Sequence, residues 1–126
     1  MWRSCRWCAM GERTLSDYGR AAVALPGFRW MSGMRVRSAA GAHVVSGFVP
    51  ADAWPDIDHS ATAGALEPLL GATLVTWDSR EDTRGIEVTW GDGDGPRDHF
   101  SAHCETKGRG LVLAAEYRGR WDGGVG

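Results

Sequence analysis

The sequence predicts a single small α+β domain, an antiparallel sheet of about four to five strands with two to three short helices. Three observations predict it. Runs of β-branched and aromatic residues with a period of two alternate with stretches whose apolar residues recur at helical spacing. Clusters of glycine, proline and aspartate separate these runs. The 126 residues, 43% apolar and 24% charged, show no internal repeat or low-complexity linker and suffice for one core. The boundaries are an N-terminal arm over residues 1–13 and the domain over residues 14–126.

The first element is a helix. Thr14-Leu15-Ser16-Asp17 offers a capping side chain ahead of Leu15, Tyr18, Ala22 and Leu25, which fall along one helical stripe, and Pro26-Gly27 stops it. From Phe28 the period changes to two: Phe28, Trp30, Met34 and Val36 take apolar positions with Arg29, Arg35 and Arg37 between them, a strand pattern bent at Ser32-Gly33. A second β-rich run covers residues 43–49 and ends at Pro50. Residues 50–58, with two prolines and three aspartates, predict an ordered turn or loop. A short helix follows, capped by Asp58 or Ser60 and closed by Gly71, with a kink or break expected at Pro68. Residues 73–77 and 86–90 read as a hairpin with a long polar loop, and Asp92-Gly93-Asp94-Gly95-Pro96 as a turn. Strand is favoured for residues 99–105 and helix for 111–117, two glycines just ahead weighing against either choice.

Fourteen basic residues against sixteen acidic ones give a net charge of -2, which argues against a dedicated polyanion binder. Charge is uneven along the chain. Residues 1–37 hold seven arginines and two acids, residues 38–105 three arginines and twelve acids. Folding can separate these blocks into faces or bring them together and cancel them. No apolar run approaches the roughly 18 residues of a membrane span, and no apolar block follows the basic start, so a cytoplasmic protein without a membrane partner is expected. Three cysteines, an odd count, fit a reducing compartment. Seven tryptophans each bring a large apolar ring and one N–H that wants an acceptor, which suits either a core or a contact surface.

Several constellations carry chemistry on paper. Cys5-x-x-Cys8 has chelating spacing, and His99-x-x-x-His103 with Cys104 supplies a second cluster, so a zinc site from Cys5, Cys8, His99 and His103 can be drawn. On a strand His99 and His103 share a face, so both could ligate, while Cys104 points away. About ninety residues separate the pairs, and nothing local enforces their meeting. No cysteine has the surroundings of a Cys/His hydrolase, and Ser32, Ser46 and Ser101 lack a Gly-x-Ser-x-Gly elbow. Asp92-Gly93-Asp94-Gly95 begins like a calcium loop but continues with Pro96, Arg97 and His103 where that loop needs other residues. Arg29, Arg35 and Arg37, with Arg3, Arg6, Arg13 and Arg20 upstream, could form a cationic ribbon for phosphates.

Pro55-Asp56-Ile57-Asp58-His59-Ser60-Ala61-Thr62-Ala63-Gly64-Ala65-Leu66 resembles the Pro-Asp-Leu-x-Asp-Pro-Ala-Thr-x-Gly-x-Leu segment of small uncharacterised proteins encoded by phages and prophages of GC-rich bacteria. Trp30-Met31-Ser32-Gly33-Met34 is similar to their Trp-x-Pro-Gly-Met element, and residues 111–116 resemble their closing Leu-Val-Ala-Ala-Leu-Glu helix. This chain has His59-Ser60 in place of Asp-Pro, and Ser32 in place of proline. The resemblance implies a genomic context and no catalytic residues. It implies a non-enzymatic protein that binds and blocks a host protein, such as an anti-CRISPR-like inhibitor of a nucleic-acid-guided nuclease, with no cofactor. Exposed tryptophan and arginine commonly anchor such interfaces, and the expected patch is Trp2, Trp7, Trp54, Arg29, Arg35 and Arg37. The alternative is a zinc- or nucleic-acid-binding accessory module.

Overall fold

The computed structural model describes residues 13–39, 41–45, 49–91 and 98–124. In chain order the elements are α1 (Leu15–Ala24), β1 (Arg35–Ser38), β2 (Gly41–Val44), β3 (Trp54–Pro55), α2 (Ser60–Leu70), β4 (Leu74–Asp78), β5 (Gly85–Trp90), β6 (Asp98–His103), α3 (Lys107–Arg118) and a 3-10 turn (Asp122–Gly124). The α+β class holds, but the strands form two three-stranded antiparallel sheets, β2-β1-β3 and β4-β5-β6, in place of one sheet of four to five.

The core centres on α3, which packs against α1, α2, β5 and β6. Leu111, Val112, Leu113, Ala114 and Ala115 are all buried, so its apolar run is surrounded by protein on every side. The two glycines ahead of that run are contact points. A Cβ on Gly108 would stand 1.9 Å from the Ile57 carbonyl oxygen, and one on Gly110 would stand 2.8 Å from both Cys104 Sγ and Ile86 Cγ2. Helix propensity yields there to close packing.

Local signals set the helix ends. Thr14 Oγ1 accepts from Asp17 N at 3.2 Å while Asp17 Oδ2 accepts from Thr14 N at 2.9 Å, a complete capping box. The cap of α2 is neither Asp58 nor Ser60: His59 Nδ1 accepts from Ala61 N at 3.1 Å, and the Asp58 carboxylate is engaged by Thr106 and Arg109. Gly71 closes α2 in the left-handed conformation, φ 71°. The helix runs unbroken through Pro68, because Pro68 sits in its last turn and the residue four before it is the exposed Gly64.

The strands depart from expectation in two places. Residues 28–33 are not a strand: Met34 N donates to the Met31 carbonyl at 3.1 Å, Gly33 adopts φ 95°, and Phe28 lies 6.4 Å from the buried Trp121 ring. Their alternation reflects packing around a turn. β2 is also shorter than the run expected over 43–49, of which residues 46–48 lie outside the described residues. The hairpin β4–β5, the strand β6 and the helix α3 follow expectation, while the turn at residues 92–96 lies outside the described residues.

Candidate interaction surface

In β1 the buried Val36 faces the core and Arg35 and Arg37 face outward. Register carries the outer face across three strands. Arg35 is paired with Val44 and Arg37 with Ala42 on β2, while Trp54 of β3 stands opposite Arg37 on the other side. Val44 is 43% exposed. The outer face therefore presents Val44, Arg35, Ala42, Arg37 and Trp54 together, an apolar, cationic and aromatic mixture.

Buried polar contacts hold this face in place. The backbone N–H of Arg35 donates to Thr62 Oγ1 at 2.9 Å, and the Thr62 hydroxyl bonds back to the Arg35 carbonyl at 3.3 Å. That carbonyl also accepts from Asp56 N at 2.8 Å, so a fully buried hydroxyl of α2 closes the end of the β1–β3 ladder. The Arg37 side chain, half-exposed, donates from Nε to Asp56 Oδ2 at 3.2 Å. Among the described residues Arg29 and Arg35 form no ion pair.

Trp54 is not an exposed loop residue. It lies in β3 and is half-buried, because α1 presents Gly19 to it: a Cβ there would come within 2.7 Å of Trp54 Cε3. Its indole N–H has no acceptor among the described residues and no buried side-chain donor lacks a partner, so that N–H reaches solvent. Arg29 is exposed, but it belongs to the 28–33 turn and not to the strand of Arg35 and Arg37. Trp2 and Trp7 lie outside the described residues. The structure thus joins three of the six expected patch residues, Arg35, Arg37 and Trp54. Val44 and Ala42 had no sequence signal as part of it, because their place depends on strand register.

The metal constellation separates. His99 and His103 share the outer face of β6, but four strand residues span about 13 Å, too far for both rings to meet one ion. His99 Nδ1 pairs with Thr89 Oγ1 at 3.3 Å and His103 Nδ1 donates to the Arg84 carbonyl at 3.2 Å. Cys104 faces the other way, half-buried against α3, and burial pushes its thiol up to about 11. Cys5 and Cys8 lie outside the described residues, and among the described ones no three His, Cys, Asp or Glu side chains converge.

A shallow cleft of about 560 Å³ lies on the outer face of the second sheet, where Gly85 leaves a gap between Asp78 and His103. Asp78 is clamped by Arg80 (2.9 Å) and by the Thr83 hydroxyl (2.8 Å), which hold its carboxyl well below the usual range. Ser101 and His103 share that cleft without bonding each other, so no nucleophile–base pair is formed there among the described residues.

Among the described residues one ion pair, Arg37 with Asp56, joins the basic block to the acidic one. Arg13 makes two bonds to Glu116, at 2.8 and 3.0 Å, while Arg109 bonds Asp58 at 3.0 and 2.9 Å. The two guanidiniums lie 4.4 and 5.3 Å from the Tyr18 ring centroid, clasping α1 to α3. Arg13 is thereby tied to α3. No protein-family model, curated protein or solved structure matches the chain.

Proposed function

We propose that this protein is a non-enzymatic binding protein that grips another protein through the outer face of the β2-β1-β3 sheet. The observation that carries this is the registered set Trp54–Arg37–Ala42 beside Arg35–Val44, held rigid from behind by Thr62. Arginine and tryptophan enrich interface centres, where a rigid anchor loses little entropy on binding. The finer reading, a phage-type blocker of a host protein such as an anti-CRISPR-like inhibitor acting in the bacterial cytoplasm, rests on the resemblance of residues 55–66. The zinc- or nucleic-acid-binding alternative has less support: His99 and His103 do not converge, and Arg37 is already paired with Asp56.

Affinity capture from a bacterial host with the wild-type chain as bait tests this, beside Arg35→Glu, Val44→Asp and, in the loop between β4 and β5, Arg84→Glu. One stoichiometric host protein, lost with the first two variants and kept with the third, is the expected result. Equal recovery with all baits removes the proposed face from consideration. A captured nucleic acid whose binding falls steeply with salt moves the assignment to the alternative.

A further inference from the structure

The second sheet has a weakly guarded edge. β4 is hydrogen-bonded to β5 on one side, and among the described residues nothing pairs with its other side. Natural edges are blunted by charge, proline, shortness or cover. The other free edges here follow that rule: β3 is two residues long and contains Pro55, β2 has four residues and starts at Gly41, and β6 carries Asp98, His99 and His103. β4 is guarded only at its end, where Asp78 is its one charged residue. From Ala72 to Trp77 there is no charge and no proline, and Leu74 is 59% exposed. Helix α3 covers β5 and β6, and no helix makes a comparable contact with β4, so Val75 and Trp77 remain only half-buried on the inner face. Beside them lies a depression of about 400 Å³, lined by Gly64, Glu67 and Pro68 of α2 and by Ala72, Thr73 and Val75.

We infer that β4 pairs with β4 of a second copy of this chain, antiparallel about Thr76, joining two three-stranded sheets into one of six strands. The occupant is argued from self-complementarity. A two-fold axis through Thr76 sets the two threonines opposite each other and puts Val75 opposite the partner's Trp77 twice, pairings that stabilise antiparallel strands, with Leu74 opposite the partner's Asp78 at the ends. Residues on one face meet residues of the same face, so Trp77 of each copy is laid on the inner side toward the depression beside α2. Charge permits the approach. The segment from Ala72 to Trp77 is neutral, Asp78 at its end is neutralised by Arg80, and Glu67 on the rim is paired with Lys107. The surface is separate from the β2-β1-β3 face, so neither proposal depends on the other.

Sedimentation equilibrium of the full chain over a concentration series from about 10 µM to 1 mM, the range for a small interface, tests it. Wild type is expected to rise with concentration toward twice 13.6 kDa. Thr76→Lys places two ammonium groups face to face at the axis and is expected to keep the mass at 13.6 kDa throughout, with its thermal unfolding unchanged. Leu74→Glu, which sets a second carboxylate opposite the partner's Asp78, is expected to do the same and serves if Thr76→Lys folds poorly. A wild type that stays monomeric at every concentration overturns the inference, whatever other strand the edge accepts. So does a dimer that survives in a folded β4 variant.

Discussion

Trp121 donates its indole N–H to the carbonyl of Ala22 at 2.9 Å, across 99 residues of chain. Ala22 is in the last turn of α1, where carbonyls lack helical partners, and the residue four further on is Pro26, which has no N–H to offer. The indole supplies the missing donor. Trp90 does the same for the other helix that ends near the core, donating to the carbonyl of Leu70, the last residue of α2, at 3.1 Å. The two fully enclosed tryptophans are therefore helix caps as well as core filler, and each fixes a helix end against a distant element.

Trp121→Phe keeps most of the ring but removes the donor and leaves a buried carbonyl unpaired. The expected cost is about 3 kcal/mol, combining the unmet acceptor with the lost volume. Urea unfolding with an unchanged slope and a lowered midpoint is the expected record. A midpoint within experimental scatter of wild type would show that water satisfies Ala22 without Trp121.

What the sequence could reveal follows the range of the interactions. The capping box at Thr14 and Asp17, the Gly71 stop and the β4–β5 hairpin were legible because each is decided within a few residues. The alternation of Phe28 and Trp30 misled because both rings pack around a turn, 5.2 Å apart and edge to face, where a strand was expected. Gly108 and Gly110 looked like weaknesses in a helix until their neighbours across the core were known. In the candidate surface, residue types were readable but partnership was not. Arg37 meets Trp54, and Arg35 meets Val44, only through pairings set by register. The histidine spacing that reads as chelating on paper becomes a wide separation once β6 is extended.

Two glycines inside helices should respond to alanine with opposite signs. Gly64 in α2 has nothing within 4 Å of where a Cβ would stand, so Gly64→Ala is expected to stabilise by about 0.5 to 1 kcal/mol through lower unfolded-state entropy. At Gly108 the Cβ would fall 1.9 Å from a backbone oxygen of Ile57, and backbone cannot rotate aside as a side chain can. Gly108→Ala is expected to cost about 3 kcal/mol as α3 is pushed off the 57–58 segment. Paired denaturation curves decide it: midpoints moving the same way would mean that propensity, not proximity, governs both sites.

Cys104 should be a slow thiol. With its pKa raised by burial to about 11, its thiolate is scarce at pH 8. Against an ordinary cysteine near 8.5, alkylation is expected to be about a hundredfold slower in the folded protein and ordinary in urea. Peptide mapping by mass after timed iodoacetamide treatment separates Cys104 from Cys5 and Cys8. Rapid labelling in the native state would mean that the contact with α3 opens readily.

Acid should loosen the fold through its aspartates. Burial alone would raise the Asp58 carboxyl, but the hydrogen bonds from Arg109 and Thr106 outweigh it and hold Asp58 below the usual 3.8. The Tyr117 hydroxyl at 2.6 Å and Arg118 at 2.8 Å hold Asp98 below that value too, and Asp17 and Asp122 are lowered as well. A carboxyl whose folded pKa is depressed contributes stability that is complete above its unfolded pKa and is lost as pH falls through the folded one. The urea midpoint is therefore expected to stay level from pH 7 to about 5 and to decline below about pH 4. Asp58→Asn cannot lose a charge it lacks. It should begin with a lower midpoint at pH 7, where Arg109 loses Asp58 and keeps only its 3.3 Å bond to the exposed Glu105, and then show a shallower acid decline than wild type. An acid decline as steep as that of wild type would place the acid sensitivity elsewhere than the Asp58–Arg109 pair that ties the start of α2 to α3.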